Sequence, residues 1–347
     1  MPQNEIYDIA IIGAGPAGLS AALYAGRDRH KTILLEKAGI PGGQILLTER
    51  IENFPGYETI SGFELISKMQ KQVESLGVEI ITSSQVTDLH RRNEQDSVFE
   101  IQVNNGEKVY LARTVILSSG SDYRKLGVPG EDLMRKATRV SYCATCDGAF
   151  YKDKTVLTVG GGNTAVEDTI YLAERFAKKT ILIHRRKEFR AEKVLVDELY
   201  QKAKEHNIEI KLPYVLVEIV PTADKNEIDH VVIENVETSK REKIHVDGVF
   251  IFAGMTPNTA WLKETVKLDE SGYIICDPAT LQTTLPGVFV AGDCRIGAPM
   301  QLITACADGV VAALMIRDYL KNPATWQQAA KRIPAREPLT TPPCSEW

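Results

Sequence analysis

Two cysteines, Cys143 and Cys146, stand in Ser-Tyr-Cys-Ala-Thr-Cys-Asp-Gly, and Asp147 follows at once. Thiols at this spacing can close a small disulfide ring, and a carboxyl beside them can move a proton. The same Cys-x-x-Cys also fits half of a zinc site, a helix-start redox motif or a chance spacing. Redox chemistry would need an electron supply elsewhere in the chain.

Two glycine turns offer one. Tyr7–Ile12 is a short apolar run that meets Gly13-Ala14-Gly15-Pro16-Ala17-Gly18, and a helix-like Leu19–Ala25 follows. Strand, G-x-G-x-x-G and helix form a dinucleotide fingerprint: Gly13 permits the tight turn, Gly15 lets backbone approach a pyrophosphate, and Gly18 lets helix and strand pack closely. The next apolar run, Thr32–Leu35, ends at Glu36, an acid suited to the free ribose hydroxyls of FAD or NAD.

The pattern then repeats. Thr155–Val159 leads into Gly160-Gly161-Gly162-Asn163-Thr164-Ala165, a G-x-G-x-x-A variant formed by Gly160, Gly162 and Ala165. Thr180–Ile183 ends not at an acid but at His184-Arg185-Arg186, with Arg190 beyond. Guanidinium groups there favour a ribose 2′-phosphate, hence NADP over NAD; a solvated basic strand end is the plainer alternative. Two dinucleotide sites in one chain imply hydride traffic between a nicotinamide and a flavin.

The elements that must position these groups follow from pattern. Ser61-Gly62-Phe63-Glu64 fits a capping box, and behind it Ile66, Met69, Val73 and Leu76 recur at helical spacing. Val98–Val103, Asn104-Asn105-Gly106 and Lys108–Leu111 predict a hairpin, and Thr114–Gly120 predicts a strand ending in small residues, as where a sheet meets a ligand. Ile208–Val246 predicts a meander. Val249–Gly254 and Val288–Asp293 are apolar strands ending in glycine, the second placing Asp293 to bond a cofactor hydroxyl or, alternatively, to cap a helix.

At 347 residues the chain is long enough for two domains, and 44% apolar with 25% charged residues is ordinary for a soluble globular protein. A net charge of -5 without a long basic run argues against nucleic acid. No apolar stretch approaches a membrane span, and the N-terminus shows no cationic head or cleavage site. Six cysteines in such a length are no disulfide framework, so a reducing, cytoplasmic compartment is expected. No second cysteine pair or histidine cluster sits at zinc spacing, and no metal is expected. Cys276, Cys294 and Cys306 lie in apolar context and are expected to be inert core residues.

Taken in order, Gly-Ala-Gly-Pro-Ala-Gly-Leu, Gly-Gly-Gln, Glu-Asn-Phe-Pro-Gly, Cys-Ala-Thr-Cys-Asp-Gly, Gly-Gly-Gly-Asn-Thr-Ala-Val-Glu, His-Arg-Arg-x-x-Phe-Arg-Ala, Gly-x-x-Pro-Asn-Thr and Gly-Val-Phe-Val-Ala-Gly-Asp closely resemble the low-molecular-weight thioredoxin reductases, from about Tyr7 to Leu320. The resemblance implies an α/β fold of two Rossmann-like, ββα-meander-containing domains, the second inserted into the first. An FAD domain would take 1–120 and 247–320, an NADPH domain with the dithiol 121–246, and 321–347 would be an extension. It implies a homodimer and two domains that rotate about hinges near Gly120–Ser121 and Asp247–Gly248. Electrons would run from NADPH through FAD to Cys146, Cys143 would attack the disulfide of thioredoxin or a thioredoxin-like protein, and Asp147 would relay the proton. Gly13, Gly15, Pro16, Ala17, Gly18, Glu36, Gly43, Gln44, Asn53, Gly120, Asp293 and Gln301 would bind the flavin. Gly160, Gly162, Asn163, Ala165, His184, Arg185, Arg186 and Arg190 would bind the nicotinamide nucleotide.

Three positions depart from the family pattern. Met300 stands where an arginine is common, Ser118-Ser119-Gly120 replaces Ala-Thr-Gly, and a proline-rich tail ends Cys344-Ser345-Glu346-Trp347. Met300 and the tail leave room for a different donor or acceptor on the same scaffold, such as ferredoxin or oxygen, with the tail as a gate. A non-catalytic flavin-binding redox sensor is a further alternative, requiring the dithiol to be silent.

Overall fold

The computed structural model describes residues 5–48, 51–93, 98–324 and 326. Of the tail singled out above, 321–324 and Trp326 are described, and the rest, with Cys344 and Trp347, lies outside the described residues. The chain divides into two units. One takes the described residues of Met1–Leu46, Ser61–Asp122 and Thr256–Trp347, and the other those of Leu47–Ile60 and Tyr123–Met255.

The first unit is built on a seven-stranded sheet among the described residues. Glu79–Ile81, Thr32–Leu35, Ile6–Ile12 and Lys108–Leu117 run parallel side by side, and Val288–Val290 also pairs parallel with Lys108–Leu117. Thr32–Leu35 is buried at every residue, because the sheet is covered on both faces and its central strands have no solvated side to alternate with. The predicted hairpin is present, Phe99–Val103 against Lys108–Val109-Tyr110-Leu111-Ala112, with Asn104 and Asn105 in the left-handed region. Its second strand and the expected strand from Thr114 are one continuous element, Lys108–Leu117. Ser61 caps helix Gly62–Glu74 by accepting from the Glu64 N–H at 3.2 Å. Ile66 and Val73 are buried as the spacing predicts, Met69 is partly buried, and Leu76, past the helix end, is exposed.

Helix Leu302–Lys321 lies on helix Pro16–Arg27 at backbone distance, since a Cβ at Gly309 would collide with the Ala17 carbonyl. Past its end, Trp326 is half-buried against the edges of Phe289 and Tyr319, with centroids 5.7 Å and 6.4 Å away. The Trp326 carbonyl accepts from Gln282 Nε2 at 3.2 Å.

In the second unit, Ile208–Lys211, Lys179–Ile183, Thr155–Val159, Gly248–Ile251 and Val140–Ser141 form a parallel sheet in that order. Tyr214–Pro221, Ile228–Asn235 and Arg241–Ile244 form the expected antiparallel meander. One assignment is corrected here. Gly248–Ile251, placed with the outer domain above, pairs with Thr155–Val159 and belongs to the inserted unit. The chain therefore returns to the first unit after Met255 and not near Asp247–Gly248. All four residues of that strand are buried, so its composition fits the centre of either sheet equally well.

Candidate functional site

In the first unit the sheet's carboxyl ends gather the dinucleotide residues. Gly13 turns the chain at φ 103°, a left-handed conformation that a side chain resists, and a Cβ there would also collide with the Ser118 carbonyl. Pro16 opens the helix at its first position, where a missing N–H costs nothing. Glu36 is buried, and its carboxylate accepts from Ala14 N at 2.7 Å and Ala38 N at 2.8 Å, so one acid braces both the glycine turn and its own loop. Gly43 borders the Gly15 backbone, and Gln44 Nε2 reaches the Ser121 carbonyl at 3.3 Å.

Asp293 closes this rim. Its carbonyl accepts from the Ser121 hydroxyl, but its carboxylate has no hydrogen-bond partner among the described residues. Burial first, then the charge of Asp308, push that carboxyl up to about 6, and Arg295 opposes the shift. No helix starts behind it, the next beginning at Leu302, so the capping alternative falls away. Gly120 lies at φ 67° with Asn258 on its carbonyl at 3.0 Å, and Gln301 is the N-cap position of helix Leu302–Lys321. Asn53 is exposed in the Leu47–Ile60 segment, which groups with the second unit. Asn258 also donates its side-chain amide to the Ser119 carbonyl at 3.2 Å, a partner that Gly-x-x-Pro-Asn-Thr alone does not reveal.

The second unit repeats the turn with different supports. Gly161 is pressed onto the His184 ring, leaving no room for a Cβ. Arg190 N donates to the Gly161 carbonyl at 2.7 Å, and the Asn163 side-chain amide exchanges two hydrogen bonds with Glu192. His184 is buried and stacks on Phe189, with centroids 5.7 Å apart. Burial and then the charges of Arg190, Arg185 and Arg186 lower its pKa, so it stays neutral. Arg185, Arg186 and Arg190 are exposed and have no carboxylate within ion-pair distance among the described residues. Lys187, beside them, pairs instead with Glu237 at 2.7 Å.

A Cβ built at Gly15 or at Gly162 would meet no protein atom within 4 Å. The backbone of the middle glycine is thus bare in both turns, as a pyrophosphate over a helix N-terminus requires. With the unpartnered Asp293 carboxylate in one unit and three unpaired guanidinium groups in the other, the residues present fit two dinucleotides.

The cysteines are joined as a Cys143–Cys146 disulfide with Cα atoms 5.3 Å apart. Cys143 is the N-cap of the short helix Ala144–Asp147, and the Cys146 N–H points at its sulfur at 3.2 Å. That donor stabilises negative charge on Cys143 once the ring opens. Cys146 is exposed and Cys143 half-buried. The Ser141 hydroxyl joins the two parts of the motif: it bonds Asp147 Oδ2 at 2.5 Å and accepts from Cys143 N at 3.1 Å. Burial raises the Asp147 pKa, and the Ser141 hydrogen bond partly offsets the rise. Tyr142 is fixed between Tyr123, stacked at 5.0 Å, and Arg135, at 5.1 Å. Its hydroxyl donates to buried Glu131, which also takes the N–H groups of Leu126, Gly127 and Val128.

Cys276, Cys294 and Cys306 are buried free thiols, the first two pushed by burial up to about 12 and about 11, out of the reactive range. No helix among the described residues is long and apolar enough to cross a membrane, and no group of three or more His, Cys, Asp or Glu among them is arranged to hold a metal.

A family of proteins described as pyridine nucleotide-disulphide oxidoreductases matches residues 7–309. Over 324 residues the chain is 37% identical to the thioredoxin reductase of Bacillus subtilis (strain 168), covering 93% of this chain and 97% of that one. The fold is similar to the solved thioredoxin reductase from Streptococcus pyogenes MGAS5005, with a TM-score of 0.84, 40% identity, and 92% and 99% of the two chains covered. The thioredoxin reductase from Giardia duodenalis is similar at a TM-score of 0.82 and 32% identity, with 92% and 100% covered.

Proposed function

The chain belongs to the low-molecular-weight thioredoxin reductases, within the pyridine nucleotide-disulphide oxidoreductases, and we propose that it uses NADPH and FAD to reduce thioredoxin or a thioredoxin-like protein through Cys143 and Cys146. The observation that carries this is the closed Cys143–Cys146 disulfide, with the largely buried Asp147 carboxyl beside it, in a chain with two bare-backboned dinucleotide turns. When bound, NADPH supplies a hydride and FAD carries its two electrons onward.

The chain's own residues divide the remaining work. Glu36 and Asp293 would take FAD hydroxyls, and the turn from Gly13 to Gly18 its pyrophosphate, with Gly43, Gln44, Gly120 and Gln301 lining the rest. Gly160, Gly162, Asn163 and Ala165 would seat NADPH, with Arg185, Arg186 and Arg190 on its 2′-phosphate and neutral His184 packed beneath them. Once the pair is reduced, the Cys143 thiolate attacks the substrate disulfide and forms a mixed disulfide, releasing one substrate thiolate. Cys146 then attacks Cys143, the ring closes, and the second substrate thiolate leaves. Two electrons pass to the substrate with two protons, and Asp147 is placed to hand on one of them. Cys143 is the exchanging sulfur because the Cys146 N–H stabilises its thiolate. A homodimer working in the cytoplasm is part of the same proposal.

Anaerobic mixing of the purified protein with NADPH should bleach the oxidised flavin spectrum, and thioredoxin should restore it. A flavin that stays oxidised under NADPH, yet bleaches with reduced ferredoxin, would replace NADPH as donor.

A further inference from the structure

Behind Asp293 lies a buried ion pair that the chemistry above does not use. Arg295 grips Asp308 with two prongs, Nε to Oδ2 at 2.7 Å and Nη2 to Oδ1 at 3.0 Å, and both side chains are 12% exposed. The same Asp308 Oδ2 accepts the N–H of Gly292 at 3.0 Å, the residue immediately before Asp293. Arg295 Nη1 donates to the Ile296 carbonyl at 3.1 Å, so the pair holds the turn from both sides. Gly292 sits there at φ 77°, and a Cβ on it would lie 3.0 Å from the Ala17 side chain, in the first turn of helix Pro16–Arg27. Asp308 comes from the middle of helix Leu302–Lys321, next to Gly309, whose backbone touches Ala17. One helix thus braces both the glycine-turn helix and the turn that presents Asp293.

We propose, resting on the flavin reading above, that Asp308 and Arg295 are positioning residues for FAD, setting the Gly292–Asp293 turn so that the Asp293 carboxylate meets the cofactor. A charged pair is a poor choice for stability alone, since apolar residues of similar size serve a buried site as well. Its use here is directional. Two fixed prongs and a backbone N–H define one orientation of the turn, and Arg295 keeps positive charge near an acid that has no other partner.

The test uses the full chain purified with its flavin and follows FAD release by the rise in flavin fluorescence. Asp308→Ala and Arg295→Ala should each release FAD at least ten times faster than wild type, and Arg295→Lys, which keeps charge but not the two-pronged grip, should fall between. If the pair acts through Asp293, adding Asp308→Ala to Asp293→Asn should accelerate release little beyond Asp293→Asn alone. Release at the wild-type rate, or fully multiplicative effects in the double variant, overturns the assignment while leaving the flavin reading intact. A wild-type chain that neither carries nor takes up FAD overturns both. Should the alanine variants fail to fold, Asp308→Asn, which keeps size and one acceptor, is read by the same two criteria.

Discussion

The two glycine turns share an extended glycine at the helix N-cap, Gly15 and Gly162, and are opposites in what stands at the end of the following strand. After Thr32–Leu35 comes a buried acid whose oxygens are held by Ala14 and Ala38. After Lys179–Ile183 comes a buried neutral imidazole, with three solvent-facing guanidinium groups beyond it that have no protein partner. In the first unit the protein satisfies its own charge and leaves hydroxyl-sized work to do. In the second it leaves positive charge facing solvent without a protein partner, open to an anionic ligand. On the proposed reading, the strand ends fit one repeated scaffold to two nucleotides.

The largest effect should come from the element neither turn contains. Cys146→Ser is expected to lower NADPH-driven thioredoxin reduction on the order of a thousandfold or more, while anaerobic NADPH still bleaches the flavin; turnover in this variant would detach the dithiol from both nucleotide sites. Next, Arg185→Ala and Arg186→Ala should each raise the KM for NADPH roughly tenfold to a hundredfold, the worth of a charge-assisted bond of about 1.5–3 kcal/mol. Activity with NADH should not change; an equal loss with both nucleotides would erase the contrast between the strand ends. Glu36→Ala leaves the buried Ala14 N–H unpaired at a cost of about 1–3 kcal/mol, so the purified protein should carry less FAD while NADPH binding, read by calorimetry, is kept.

The smallest effect concerns Asp168, which stands in the register that Ala21 occupies in the first unit's helix. Folding lifts its carboxyl from the ordinary 3.8 to about 6, mainly by burial and secondarily through Glu167. Between those values the unfolded chain has lost a proton that the folded chain keeps, so stability falls as pH climbs from about 4 to about 6 and stays lower above. Asp168→Asn should unfold together with wild type at pH 4 and be more stable by about 1–2 kcal/mol at pH 8. Identical urea midpoints at both pH values would contradict this.

Much of the fold was legible because its signals are local. A strand, a glycine turn and a helix within some twenty residues declare themselves at Gly13 and again at Gly160, and Ser61 and Glu64 mark a helix start by one hydrogen bond. Strand Gly248–Ile251 was visible as a strand but not by sheet, since four buried apolar residues carry no record of their neighbours. In the site, Cys143, Cys146, Glu36 and the arginines were readable from spacing. Ser141, Glu131, Asn258, Glu192, Arg295 and Asp308 were not: each acts through a partner distant in sequence or through a backbone N–H, and a lone polar residue in a chain looks the same whether or not it finds one. For Asp293 the structure removes the helix-cap alternative, since no helix starts behind it, and its role toward a cofactor belongs to the proposal.

Trp326 redraws the edge of the domain. Its indole rests on Phe289 and Tyr319, and its carbonyl on Gln282, six positions beyond the point where the family pattern stops. A protein shortened to Leu320 would bare an aromatic face of the core, and any lost activity would report a damaged fold as readily as a missing tail. To question the last 21 residues fairly, the cut has to spare this tryptophan.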